Sequence, residues 1–251
     1  MKKTNMLAIV LCLVVLIFLS AFDLEEEDIN EEYSYNTVFP ENYTHPENPK
    51  MVYLTFDDGP TEYTPQIIDI LNQHHVPATF FVVGDTGYTH HMRMIVENGH
   101  AIGLHSYNHD FEQIYRSSEA FFNDLQKIDD IVFNETGVRS MIIRFPGGSS
   151  VTRGATKSTM NRLKIEVIEK GYQYFDWNCD SSDSKGAQSA SGAFSNIKSR
   201  EKEFGDIVIV LMHDTKKITV EYLPRVIEYF KTLGYDFLPL SLDAPAIHHT
   251  W

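Results

Sequence analysis

From Met51 to Leu240, apolar runs of strand length alternate with helix-patterned stretches almost without interruption. The runs are VYLTF (52–56), ATFFVVG (78–84), HAIGLHS (100–106), MIIRF (141–145), YQYFDWN (172–178), DIVIVLM (206–212) and YDFLPL (235–240). Most are apolar on both faces, as strands covered on both sides must be. Between them, TPQIIDILNQHH has an early Pro65 and sets Ile67, Ile68 and Leu71 on one face. SEAFFNDLQKIDDIVFNETG starts at a Ser cap and stops at Gly137, and STMNRLKIEVIEKG and TVEYLPRVIEYFKTLG also end in glycine, a common helix stop. Strands separated by helices predict a parallel sheet. Seven of them form either a closed barrel or an open doubly wound sheet. No glycine-rich dinucleotide fingerprint follows the first strand, which lowers the second option.

The ionisable residues are not scattered over this frame. Asp57 and Asp58 follow the first run, His105 and His109 the third; Arg144 closes the fourth, Asp176 to Asp183 follow the fifth, and His213 and Asp214 the sixth. Five strands thus carry polar groups at their C-terminal ends, the face on which parallel barrels build active sites.

Asp57 and Asp58 pose a problem, since adjacent strand residues point to opposite faces and like charges repel. If the strand ends at Phe56 and the Gly59-Pro60 turn bends the chain, both acids can face one site. HSYNH places His105 and His109 four apart, on one face of any helical turn. Two imidazoles and one carboxylate form a common open catalytic metal site, and an ion there acidifies water and polarises a carbonyl. In RFPGGSS, Pro146 keeps Phe145 extended and Gly147-Gly148 lets backbone approach a ligand. His213 ends an apolar strand on the same face and is a natural proton donor near neutral pH, with Asp176, Asp180 or Asp183 available to orient it. Of the remaining histidines, His74-His75, His90-His91 and His248-His249 read as exposed and without an acid partner, and His100 as structural.

Residues 1–22 read as a signal peptide or membrane anchor: Lys2 and Lys3 precede an uncharged apolar run from Met6 to Phe22 that predicts export. Residues 23–49 read as an acidic, then Pro- and Asn-rich linker, and 50–251 as the catalytic domain. The net charge of −14 argues against nucleic-acid binding and against docking on anionic lipid, so membrane contact is expected only through the N-terminal segment. Without Lys2, Lys3 and the seven acids of Asp23 to Glu32, the charge is −9. Cys179 is the one cysteine outside the apolar run, so no disulfide is available to the folded part and a monomer with an ordinary core is expected.

With these pieces in place, the chain resembles the polysaccharide deacetylases of the NodB-homology type, carbohydrate esterase family 4. TFDDGP, HSYNH, RFPGG, DWNCDSSD and LMHD match its five motifs in order over residues 50 to 240. The resemblance implies a distorted (β/α) barrel of about seven parallel strands and one divalent metal, zinc first with cobalt, nickel or manganese as alternatives. Asp58, His105 and His109 would correspond to its ligands, Asp57 to the general base and Arg144 to the residue that tunes it. His213 would correspond to the acid that protonates the departing amine and Leu211 to the wall against the acetyl methyl. Gly147 stands where many members have Tyr; its N–H could still serve the oxyanion, without the aromatic wall. Ser184 stands where the fourth motif has Trp, so the acid tuning His213 is Asp183 or Asp180. Tyr107, Phe145 and Trp177 are candidates to stack on sugar rings. The expected activity is removal of N-acetyl groups from an acetylated glycan, peptidoglycan before chitin-type oligosaccharide, outside the cell membrane. The competing readings are a non-catalytic glycan-binding domain, and the same chemistry on an acetyl ester or a non-sugar amide.

Overall fold

A computed structural model describes residues 35–41, 43–44, 46–187 and 189–251. The expected signal or anchor (1–22) and the acidic start of the linker lie outside these residues. Among the described residues no helix is long and apolar enough to cross a membrane.

The elements follow the expected alternation. They are β1 (Tyr35–Val38), β2 (Met51–Asp57), α1 (Thr64–His74), β3 (Thr79–Val83), α2 (His91–Glu97), β4 (Ala101–Ser106), α3 (Phe111–Ile114), α4 (Ser118–Thr136), β5 (Ile142–Ile143), α5 (Lys157–Glu169), β6 (Gln173–Tyr174), β7 (Cys179–Asp180), α6 (Ala190–Ser199), β8 (Ile207–His213), α7 (Lys217–Thr232), β9 (Asp236–Phe237) and β10 (Ala246–His249). The signals for α4 hold at both ends: Ser117 Oγ accepts from Ala120 N, and Gly137 closes the helix at φ 74°.

Seven strands run parallel in the order β6-β5-β4-β3-β2-β8-β7. β6 and β7 do not pair with each other, so the sheet curls into a half-barrel that stays open between them. The membership of the seven differs from the expectation. Cys179–Asp180 supplies a strand, while YDFLPL contributes only β9, which pairs with the start of β2 off the main path. The segment read as linker also contributes β1, antiparallel to β10. YNTV carries the β-branched and aromatic residues that suit an edge strand.

Alternation along each strand divides the core in two. Val52, Leu54 and Phe56 of β2, with Val208, Val210 and Met212 of β8, pack outward under the helices. Met51, Tyr53, Ile207, Ile209 and Leu211 face inward with Phe81, Ile142 and Phe175, and Ala246 and Ile247 of β10 complete this inner layer. The terminal histidines differ from the expectation: His249 is 2% exposed within β10. His74 also has an acid partner, with Nδ1 3.0 Å from Glu228 Oε1.

Candidate active site

The strand period of two aims the site. β2 runs one residue beyond its apolar stretch, so Asp57 continues the inward series of Met51, Tyr53 and Thr55. In β8 the same parity puts His213 after Ile207, Ile209 and Leu211, in register with Asp57. Asp58 lies past the strand at φ 70°, and this left-handed residue brings the second carboxylate round beside the first. The expected break therefore exists, one residue later than the sequence suggested.

Arg144 follows β5 and is wholly buried. Nη1 donates to Asp57 Oδ1 at 2.8 Å and to Thr55 Oγ1 at 2.7 Å, Nε to Phe175 O at 2.9 Å, and Nη2 to Asp176 O at 3.2 Å. Its guanidinium carbon lies 4.3 Å from the Phe81 ring centroid. A buried cation is tolerable only when its donors are so occupied.

Asp58 Oδ1 lies 3.3 Å from His105 Nε2 and 3.3 Å from His109 Nε2. One ligand atom from each of the three residues falls within 4.8 Å of the others. Nδ1 of His105 lies 2.8 Å from Arg144 O, the acceptor that fixes a proton on Nδ1 and turns the Nε2 lone pair inward. Asp58 Oδ1 is buried with no hydrogen-bond partner among the described residues. Lone pairs this close repel unless a proton or a cation lies between them. Ligands about 2.0–2.1 Å from a tetrahedral zinc ion sit about 3.3 Å apart, so the residues fit a divalent ion. Burial would raise the Asp58 pKa, but His105, His109 and His213 hold it far below the ordinary carboxylate range. Burial lowers His105 less than Asp57 and Asp58 raise it. His109, at φ 55°, is held by its N–H to Ser106 Oγ, which donates to Asp124 Oδ2. Asp124, which also accepts from Tyr107 N, carried no sequence signal.

The partner of His213 is Asp183. Its Oδ1 lies 2.7 Å from His213 Nδ1, and its Oδ2 accepts from His213 N, Thr219 Oγ1 and Tyr222 OH. Asp180 instead caps the intervening turn, accepting from Ser182 N at 2.6 Å, and burial raises its pKa. Burial alone would discharge His213; Asp183, reinforced by Asp58 and Asp57, pushes it up to about 9. His213 Nε2 points into the site, 4.0 Å from Asp58 Oδ2. Leu211, 5% exposed, lies one inward position below.

Gly147 is exposed at φ 77°, and its N–H makes no hydrogen bond among the described residues. The loop it begins is anchored by Asp176, which is wholly buried: Ser149 N and Oγ and His249 N all donate to its carboxylate. Two aromatic assignments change. Phe145 is buried between Phe121 and Tyr174. Trp177, 5% exposed, packs on His249 and over Arg144. Inward parity and the β10 strand account for the burial of Trp177, and neither ring offers a face to a sugar. Tyr107 stays half-buried, with Lys127 Nζ 5.3 Å from its ring centroid.

The sequence model of the family described as polysaccharide deacetylase matches residues 44–168. A peptidoglycan-N-acetylglucosamine deacetylase of Bacillus cereus is 30% identical over 199 residues, 75% of this chain and 68% of that protein. The crystal structure of the catalytic domain of a peptidoglycan N-acetylglucosamine deacetylase from Eubacterium rectale superposes with a TM-score of 0.79 at 36% identity, covering 84% of this chain and 97% of that one. A polysaccharide deacetylase structure from Bacillus cereus gives 0.68 at 28% identity, covering 76% and 92%.

Proposed function

This chain belongs to the polysaccharide deacetylase family, and from that premise we propose that it removes N-acetyl groups from an N-acetylhexosamine polymer, peptidoglycan before chitin-type oligosaccharide. One observation carries the reading. A buried carboxylate with one fixed and one free oxygen, and an imidazole tuned by its own carboxylate, both lie 4.0 Å from atoms of the Asp58–His105–His109 set. That is an acceptor and a donor flanking one cation site.

Asp58, His105 and His109 would hold a single divalent ion, zinc first, and such an ion acidifies water and polarises an amide carbonyl when bound. Arg144 holds Asp57 Oδ1, which leaves Oδ2 to take the proton from attacking water. Gly147 N–H donates to the oxygen on which negative charge gathers. His213, kept charged by Asp183, gives its Nε2 proton to the departing amine, and acetate is released. Leu211 closes the pocket on the acetyl methyl. The Lys2-Lys3 start and the apolar run after it support action outside the cell membrane.

The test is acetate release from peptidoglycan and from chitin oligosaccharides across a panel of divalent metals. Loss of release in Asp57→Asn and His105→Ala with the fold intact is expected. Unchanged release would sink the mechanism, and glycan binding without release in the wild type would favour a non-catalytic domain.

A further inference from the structure

A cavity of about 370 Å³ opens beside Asn108, the residue preceding His109. We propose that it is a subsite for a carboxylate-bearing peptide branch of the glycan, an inference that rests on the deacetylase reading above. Its walls carry two cations, Arg116 and Lys127, and one acid, Asp124. Asp124 Oδ2 is already engaged by Ser106 Oγ and Tyr107 N. Arg116 has no ion pair or hydrogen bond among the described residues, although Glu112 and Glu119 lie close in sequence. The Lys127 ammonium lies over the Tyr107 ring and pairs with no carboxylate among the described residues. These two cations stand beside carboxylates already engaged by the wall's own amides and hydroxyls, and they are the groups left to receive an anion from outside.

The rest of the lining narrows which anion. Gln113 and Gln126 each donate their amide NH2 to a neighbouring carboxylate, Asp110 and Asp130, so their side-chain carbonyls remain as acceptors. Asn123 makes no side-chain hydrogen bond among the described residues and offers both a donor and an acceptor. Free carbonyls, a free amide and a guanidinium fork suit a ligand that combines peptide N–H groups with a carboxylate. A bare chitin-type glycan has no anion for Arg116; a glycan with short acidic peptides has one on each branched sugar. The cavity adjoins the histidine loop, so a branch beside the reacting sugar would enter it.

The experiment compares Arg116→Ala, Arg116→Lys and Arg116→Glu with wild type on a peptidoglycan fragment with free peptide carboxylates and on chitin oligosaccharides. Arg116→Ala should lower kcat/KM on the acidic fragment about five- to ten-fold through KM, with chitin oligosaccharides within about two-fold of wild type. Arg116→Lys should retain most of the affinity and Arg116→Glu less than Arg116→Ala. Equal loss on both substrates, or none on either, overturns the subsite. Should the wild type release acetate from neither glycan, the deacetylase reading fails on its own. Titration with a muramyl peptide then still decides the cavity: binding weakened by Arg116→Ala and by amidation of the peptide carboxylate supports it, and indifference to both removes it.

Discussion

Arg144 Nη1 lies 2.8 Å from Asp57 Oδ1, with the two side chains 0% and 4% exposed. The pair is held from below by Thr55 and from the side by two carbonyls, so Asp57 keeps one orientation and one free oxygen. The arrangement explains how two adjacent acids coexist. Asp57 is neutralised by a guanidinium and Asp58 lies at the candidate cation site with His105 and His109.

Breaking that pair should cost both stability and rate. Arg144→Met leaves an uncompensated buried carboxylate, a loss of about 3–5 kcal/mol for such pairs. Arg144→Lys keeps the charge but not the fork that serves Thr55, Asp57 and two carbonyls together, and should lose about 10²-fold in kcat. Chemical denaturation and acetate release measure the two effects; a lysine variant with wild-type kcat would show that charge alone suffices.

In the proposed reaction the His213–Asp183 pair should set the alkaline limit. With its pKa raised to about 9, His213 carries the proton it donates through neutral pH and loses it as pH rises through that value. The pair's contribution to stability is complete below the unfolded value of about 6.5 and fades through 9. In Asp183→Asn the hydrogen bond and charge that oppose burial are gone, so the imidazole titrates well below 9 and the alkaline limb of the rate moves down with it. NMR titration of His213 in both proteins checks this directly.

How far all this was readable from sequence depends on the range of the signal. Asp57, His105, Arg144 and His213 sit at the ends of runs whose parity points inward, so local pattern located them. Asp183 could not be told from Asp180, because the choice turns on Ser182 at φ 54°. The burial of Trp177 and His249 depends on β10, whose partner β1 lies more than 200 residues away in a stretch of linker-like composition. Asp124, Thr219 and Tyr222 act on the site only through contacts between distant elements.

Metal should stabilise the fold as well as support activity. An ion that binds only the folded chain adds about 2.7 kcal/mol at one hundred times its Kd. Zinc should therefore raise the Tm of the wild type, and His109→Ala should abolish that rise. A chelator should remove acetate release and the added stability together. A Tm indifferent to every divalent metal would argue against the site.

His100 predicts sensitivity to acid. It is buried against Phe80, and neither ring nitrogen has a hydrogen-bond partner among the described residues. Burial lowers its pKa to about 4. Folding therefore excludes a proton that the unfolded chain binds below about 6.5, and stability is lost as pH falls from there to 4, on the order of 2 kcal/mol. His100→Leu keeps the apolar contact and removes the titration. Its denaturation midpoint should fall less between pH 7 and pH 4 than that of the wild type.

Asp176 should act on the reaction without touching it. Its two oxygens accept from three donors, Ser149 N, Ser149 Oγ and His249 N, and its position joins the Gly147 loop to the C-terminal strand. An amide can accept at one end only, so Asp176→Asn sets an NH2 group against at least one N–H or O–H that it cannot satisfy. Gly148 seats this loop on the same neighbours, so closely that an added Cβ would lie 3.0 Å from Trp177 and 3.1 Å from His249. The loop then shifts, and with it the Gly147 N–H proposed above to serve the transition state. That donor is used more in the transition state than in the ground state, so kcat should fall about ten-fold or more while KM changes little. Ser149→Ala, which removes one donor and leaves the backbone bond, should fall between the two. A raised KM with unchanged kcat across the pair would place the effect in substrate binding instead of in the oxyanion loop.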